Sequence, residues 1–172
     1  MSPWRLTFDS QLIYPGLERE GPWPDARQIE QDLIICRALC DLFNAPALKD
    51  KIAFRGGTAI NKLLFKQPLR YSEDIDLVQT QAEPIGTTVD AIREALSWFG
   101  KCNREQAGHS MRLIFKFTPE ADPQATLKLK VEINTREHEH LFGIKSYPFA
   151  VESDPLRDKP RRSGRGRIAR TA

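Results

Sequence analysis

Apolar residues that recur at intervals of three and four predict three helices along the chain. The first begins at Ala26. A second has Thr58 as its N-cap and must end before Pro68, because proline cannot continue a helix. A third begins at Thr87 or Thr88. The apolar stripe of the first helix consists of Ile29, Leu33, Cys36, Leu39, Cys40 and Phe43.

Shorter apolar runs predict the strands of a sheet. Residues 51–54 form a short run that two glycines interrupt, and a second run follows at residues 75–78. Residues 112–118 and 126–134 are typical of two antiparallel strands joined by a proline-containing loop. Helices that alternate with strands in this way predict an α/β fold with a mixed sheet.

Side-chain alternation places acidic groups on one face of this sheet. Successive residues of a strand point to opposite faces, so Ile75 and Leu77 should face the core while Asp74 and Asp76 share the other face. The same rule applied to residues 126–134 gives a second polar row on one face, made of Lys128, Lys130, Glu132 and Asn134.

Composition divides the chain into three parts. Residues 1–27 hold four prolines and predict an irregular arm, residues 28–150 form the core, and residues 151–172 form a basic tail. From about Ser153 the tail has too little apolar surface to offset the entropy lost on ordering, which predicts disorder.

Charge narrows the class of partner. The net charge is +3, but residues 153–172 carry +5, so the remaining residues carry −2. A protein that coats nucleic acid needs many basic groups on one face, and the core does not supply them. No apolar run approaches the roughly 20 residues that cross a bilayer. We therefore expect a cytoplasmic protein without a membrane partner, with its three cysteines as thiols.

The stretch "FRGGTAINKLLF" carries the first candidate chemistry. Gly56 and Gly57 precede a helix N-terminus, where free amides and the helix dipole favour an anion such as phosphate. Thr58 could add a hydroxyl donor. Taken alone, a Gly-Gly pair before a helix is more often an ordinary turn.

Asp74 and Asp76 are the second candidate. Two carboxylates on one strand face repel each other, and a divalent cation between them would remove that cost. Taken alone, such a pair is more often a solvated strand face. Together with the glycine turn, however, it predicts a site for a nucleoside triphosphate (NTP) and magnesium.

The order "FRGGTAINKLLF" then "RYSEDIDLV" resembles the signature of the AbiEii/AbiGii-type nucleotidyltransferases, toxins of type IV toxin–antitoxin pairs in the DNA polymerase β-like superfamily. The similarity extends over residues 26–150, including the later "KVEINTRE". It implies a nucleotidyltransferase-like fold and the transfer of a nucleoside monophosphate from an NTP to a tRNA or protein acceptor. It also implies a cognate antitoxin as partner.

The resemblance also implies roles for individual residues. Asp74, Asp76 and Glu132 would be the catalytic carboxylates that bind two Mg²⁺ ions, although Glu132 could equally be one charge of a polar strand face. The nucleotide-binding residues would be Gly56, Gly57, Thr58, Ser72 and Arg70.

The chain departs from the family after "SYPFAVES". The resemblance calls for further helices carrying a Lys and an Arg-Asp-x-x-Asp segment, whereas this sequence continues into the Arg-Gly-Pro tail. A reading-frame change that replaces the true continuation is the favoured interpretation, and a genuinely short protein with a basic tail is the other. In either case we expect impaired catalysis, and a non-catalytic remnant that binds nucleotide, antitoxin or nucleic acid is the alternative function.

Overall fold

Seven strands form one mixed sheet in the computed structural model of the protein, within the residues that it describes. These are residues 23–65, 69–120, 122–138, 143–150 and 163–169, of which residue 150 and the last range are described by their backbone alone. The helices are α1 (Ala26–Asn44), α2 (Gly56–Leu64) and α3 (Ile85–Ala95), with 3-10 turns at Pro46–Leu48 and Ser97–Phe99. The strands are β1 (Ile52–Arg55), β2 (Asp74–Gln79), β3 (Cys102–Ala107), β4 (Ser110–Phe117), β5 (Leu127–Asn134), β6 (Ile144–Ala150) and β7 (Ser163–Ala169).

The order of the strands across the sheet is β3-β4-β5-β2-β1-β7-β6. Strand β2 pairs in parallel with β5 and antiparallel with β1. Strand β1 also pairs in parallel with β7. The other neighbours, β3 with β4, β4 with β5 and β6 with β7, are antiparallel. Strand β2 therefore lies at the centre of the sheet, between β5 and β1.

One face of the sheet forms the hydrophobic core with α1 and α3. Alternate residues of the strands point into it, which is why Ile75 and Leu77 are buried while Asp74 and Asp76 are only partly buried. The fully apolar cluster includes Ile35, Leu39, Leu42, Phe54, Leu77, Val89, Ile92, Leu113, Phe115, Leu129, Val131 and Ile133. Because the helices cover this face, the polar residues of β2 and β5 lie on the other.

Helix α1 is tied to the sheet by a buried amide. The helix begins after Asp25, whose side chain accepts a hydrogen bond from the backbone N–H of Arg27. One turn further on, Gln31 donates from Nε2 to the carbonyl oxygen of Lys128 at 2.9 Å. Its Oε1 accepts from the hydroxyl of Tyr71 at 2.7 Å. Gln31 thus fixes both β5 and the loop before β2 to the same helix.

Most predicted elements of the core are confirmed. Helix α1 begins at Ala26 as predicted. Of the predicted irregular arm, residues 1–22 lie outside the described part. Strands β1, β2, β4 and β5 lie within one or two residues of their predicted bounds. The α/β class with a mixed sheet is confirmed as well.

Two predicted helix starts are wrong. Helix α2 begins at Gly56, so Thr58 lies inside its first turn and is not the N-cap. Helix α3 begins at Ile85, three residues before Thr88, which is fully buried in the helix. In both cases a Thr that the sequence favours as a cap is instead held within the first turn by packing or by a side-chain partner.

One segment of the tail is ordered, although the sequence predicted disorder. Residues 163–169 form β7, which pairs with β1 and β6, whereas disorder was expected there. A strand can be ordered by the backbone hydrogen bonds of two neighbours even where its own sequence has little apolar content. Residues 151–162 and 170–172 lie outside the described part, and the domain boundaries stay a prediction.

Other expectations concern thiols and membranes. Cys36, Cys40 and Cys102 are free thiols, and Cys40 is buried. Within the described ranges, no helix combines the length and the apolar character needed to span a bilayer.

We expect Ile92→Ala to lower the free energy of unfolding by about 2–5 kcal/mol, because it leaves a cavity in the core. Ile92 is 0% exposed, whereas Ile60 on α2 is 46% exposed. The matched control Ile60→Ala replaces the same side chain in another helix and should cost less than about 1 kcal/mol. Urea denaturation of both variants measures the difference. Equal losses would contradict this description of the core.

Candidate active site

The pairing of β2 with β5 brings three carboxylates to one face of the sheet. Asp74 lies opposite Lys130, and Asp76 lies opposite Glu132. In a parallel pair, side chains in register point to the same face, so Asp74, Asp76 and Glu132 are neighbours there. The pair of aspartates on one face, predicted from alternation, is confirmed by the burial of Ile75 and Leu77 on the other.

Gly56 connects this face to the start of α2. Its φ is +77°, a left-handed conformation that favours glycine. A Cβ at this position would lie 2.7 Å from Oδ2 of Asp76, closer than nonbonded atoms approach. Only glycine therefore allows the N-terminus of α2 to lie directly against the Asp76 carboxylate. A Cβ added at the adjacent Gly57 would lie 3.6 Å from Nη1 of Arg70, an ordinary contact distance.

The loop that enters β2 is held against α2 by side chains of the helix. The hydroxyls of Thr58 and Ser72 are hydrogen-bonded to each other. Asn61, which is buried, donates from Nδ2 to the carbonyl oxygen of Arg70 at 2.9 Å and accepts from the N–H of Leu69 at 2.9 Å. The helix thereby places Thr58, Arg70 and Ser72 beside the glycine turn.

Three basic side chains accompany the carboxylates. Lys130 Nζ lies 2.9 Å from Asp74 Oδ2 and 3.5 Å from Glu132 Oε2. Arg112, on β4, donates from Nε to Glu132 Oε2 at 2.9 Å. Arg55, the last residue of β1 and opposite Asp76 in register, pairs with Glu137. Each acidic group of the face therefore has a cation nearby.

The pKa values of Asp76, Glu132 and Lys130 are shifted by different causes. Partial burial, followed by the charge of Asp74, raises the pKa of Asp76, and the charges of Lys130 and Arg55 only partly oppose this. Burial also acts to raise the pKa of Glu132, but the hydrogen bonds and charge of Arg112 outweigh it and the net shift is downward. The hydrogen bond to Asp74 raises the pKa of Lys130, so its ammonium stays charged. Asp76 is thus the carboxylate of the face whose charge is least compensated.

The donor set suits magnesium, but its side chains do not converge. Carboxylate oxygens are the ligands that Mg²⁺ prefers, and the uncompensated charge at Asp76 is of the kind that a cation offsets. Within the described residues, no three His, Cys, Asp or Glu side chains are grouped closely enough to hold a metal ion. The ammonium of Lys130 lies between Asp74 and Glu132 instead. The three acids therefore suit Mg²⁺ in their ligand type and in their position on one face of the sheet. For the ion to contact both Asp74 and Glu132, the ammonium of Lys130 must move away.

The structure brings most of the predicted site residues together. Gly56 lies against Asp76, Gly57 against Arg70, and Thr58 against Ser72. The ammonium of Lys130 bridges the carboxylates of Asp74 and Glu132. Their assigned roles in binding stay predictions.

Sequence reasoning missed the basic residues Arg55, Arg112 and Lys130. For Lys130 the signal was present, because the alternation that places Glu132 on the polar face of its strand places Lys130 on the same face. Arg55 adjoins Gly56 in the chain and could have been noticed for that reason. Arg112 could not, since its position beside Glu132 depends on the register of β4 against β5.

Solved structures of other proteins share the fold of this chain. JHP933 from Helicobacter pylori matches with a TM-score of 0.51 and 15% identity, over 70% of this chain and 49% of its own. A candidate nucleotidyltransferase from H. pylori matches with a TM-score of 0.52 and 16% identity, over 84% and 54%. MenT4, a nucleotidyltransferase toxin from Mycobacterium tuberculosis, gives a TM-score of 0.48 and 15% identity, over 86% and 49%. The chain thus shares its fold with the two H. pylori proteins, and it spans about half of their length.

The family follows from the sequence. Residues 37–161 match the family model described as "Nucleotidyl transferase AbiEii toxin, Type IV TA system". The match covers most of the chain and includes the glycine turn and all three carboxylates, so the chain belongs to the AbiEii nucleotidyltransferase toxin family. No curated protein sequence gave a significant match.

We expect Gly56→Ala to destabilise the protein by about 1–3 kcal/mol, the cost of a non-glycine residue held at such a φ. The contact of the new methyl group with Asp76 adds to this loss. Gly86 is the matched control, because a Cβ there meets no atom within 4 Å. Gly86→Ala should be neutral or stabilise by up to about 1 kcal/mol. Thermal denaturation compares the two, and a neutral Gly56→Ala would show that the turn does not need this close approach.

Proposed function

We propose that this protein is a magnesium-dependent nucleotidyltransferase toxin that transfers a nucleoside monophosphate from an NTP to a tRNA or protein acceptor. The observation that carries the proposal is the position of Gly56 against Asp76, which puts the free amides of a helix N-terminus beside one carboxylate of the face that also holds Asp74 and Glu132. Phosphate oxygens suit the amides, and the metal that accompanies an NTP suits the carboxylates. Membership of the AbiEii family supports this assignment.

Each residue would contribute in a definite way. The N–H groups of Gly56 and Gly57 and the hydroxyls of Thr58 and Ser72 would bind the triphosphate, and Arg70 would contact a phosphate or hold the loop. Asp74, Asp76 and Glu132 would hold two Mg²⁺ ions. When bound, the ions would make an attacking hydroxyl more acidic and stabilise the departing pyrophosphate. The acceptor oxygen would then bond to the α-phosphorus as the bond to pyrophosphate breaks.

The proposal includes a cognate antitoxin as partner, which the description of the family as one half of a type IV TA system supports. It also includes the cytoplasm as the place of action.

A non-catalytic binding protein is the second candidate. The ion pairs of Lys130 and Arg112 favour it, because they stabilise Asp74 and Glu132 without any metal. Such a protein would bind NTP or antitoxin but would transfer no nucleotide. Incubation with an α-³²P-labelled NTP, magnesium and total tRNA, followed by electrophoresis, separates the two candidates.

We expect Asp74→Ala and Asp76→Ala each to reduce label transfer to background, because each removes a proposed metal ligand. Both variants should keep the circular dichroism spectrum of the parent. Asp90 is a suitable control, since it lies on α3 and its side chain is 72% exposed. Asp90→Ala should transfer label at the parental rate. Full activity of either site variant would overturn the metal assignment.

We expect Thr58→Ala to weaken NTP binding by about 0.5–1.5 kcal/mol, the usual net contribution of one hydrogen bond. Thr87, which is exposed in the first turn of α3, provides the control Thr87→Ala. Isothermal titration calorimetry with a non-hydrolysable NTP and magnesium measures both affinities. If both variants bind like the parent, the Thr58 hydroxyl contacts Ser72 only and not the nucleotide.

A further inference from the structure

Lys130 holds the position that a bound cation would need. Its Nζ is 2.9 Å from Asp74 on β2 and 3.5 Å from Glu132 on its own strand. These are two of the three proposed metal ligands, and the ammonium bridges them across the strand pair. A divalent cation that uses both carboxylates must take this place.

Arg112 does not compete in the same way. It contacts Glu132 from β4 and lies opposite it in register, on the side away from β2. Arg112 and Lys130 both contact Oε2 of Glu132, at 2.9 Å and 3.5 Å, but Lys130 also lies 2.9 Å from Asp74. Lys130 is the cation that lies between the two strands that carry the acids.

An ammonium and a divalent ion cannot both lie close to the same carboxylates without strong repulsion. Lysine suits an exchangeable role because its charge lies at the end of a flexible stem, which lets it withdraw without a change in the backbone. The side chain of Lys130 is 32% exposed, so it has solvent on one side to move into.

We propose that Lys130 is an internal counter-ion that competes with the divalent cation for Asp74 and Glu132, and so weakens metal binding to the nucleotide-free protein. The inference rests on the proposed metal site of the nucleotidyltransferase. It assigns Lys130 a role that the proposed mechanism does not use: the acids stay paired and ordered until a metal, arriving with the NTP, displaces the ammonium. The displaced ammonium is then free to meet a phosphate oxygen.

The test is Mn²⁺ binding, measured by electron paramagnetic resonance on the protein without nucleotide. Lys130→Met keeps most of the aliphatic stem and removes the charge, and it should tighten Mn²⁺ binding at least about tenfold (1.4 kcal/mol). Lys128→Met is the control: it removes the same charge from an exposed residue of the same strand face, two residues before Lys130, which forms the first register pair with β2. It should change the Mn²⁺ affinity by less than about threefold, because solvent and salt screen an exposed charge. Lys130→Arg keeps the charge and should stay close to the parent.

A second readout does not need a metal. Without Mn²⁺, Lys130→Met should have a lower midpoint of thermal unfolding than Lys128→Met, since Asp74 and Glu132 lose their shared counter-ion. Addition of Mn²⁺ should remove that difference. If Lys130→Met does not fold, Lys130→Gln provides the same loss of charge with a polar end.

The outcomes separate the inference from the function on which it rests. One outcome is that the parent binds Mn²⁺, that Asp76→Ala abolishes this binding, and that the Mn²⁺ affinity of Lys130→Met is equal to or weaker than that of the parent. In that case the role of Lys130 is overturned and the metal site stands. If neither the parent nor Lys130→Met binds Mn²⁺, the metal site itself is wrong and both proposals fall. Tighter binding in Lys130→Met, but not in Lys128→Met, supports the inference.

Discussion

The parallel pairing of β2 with β5 determines where the charged groups of this protein lie. In that register, Asp76 is opposite Glu132 and Asp74 is opposite Lys130. Side chains alternate along a strand, so a slip of one residue in either strand would turn its acidic groups toward the core and its apolar ones toward solvent. The burial of residues such as Val131 and Ile133 therefore also fixes the polar face. Hydrophobic packing on one side of the sheet thus places the chemistry on the other.

The glycine turn adds a second constraint of a different kind. This constraint is steric: because Gly56 has no side chain, the Asp76 carboxylate can approach the start of α2. The helix in turn holds the loop before β2 through Asn61. Two segments that are separate in sequence thus become one site, and the sheet register then joins the third carboxylate to them.

Local patterns in the sequence predicted the central elements and the shared face of Asp74 and Asp76, whereas the role of Glu132 came from the family resemblance. Periodicity indicated α1, and alternation indicated which residues of β2 and β5 share a face. Strands β3, β6 and β7 were not predicted. Strand β3, for example, is mostly polar and exposed on the sheet edge, and it owes its structure to backbone pairing with β4. The caps of α2 and α3 were misplaced because a Thr inside the first turn gives the same local signal as a Thr at the cap. The ion pairs of Arg112 and Arg55 depend on partners at least twenty residues away in sequence, which no local pattern contains.

Strand order also has a consequence for how the protein folds. Strands β1 and β2 are close in sequence, so they can pair early together with the helix between them. Strand β5 begins at Leu127, so α3, β3 and β4 lie between it and β2 in the sequence and are synthesised before it. Such non-local, parallel pairings form slowly because a long loop must close before any contact offsets the loss of entropy. Glu132 and Lys130 are therefore expected to join Asp74 and Asp76 at a late stage of folding. A nascent chain that has not yet emerged as far as β5 carries the glycine turn and the two aspartates, but neither the counter-ion Lys130 nor the third carboxylate Glu132.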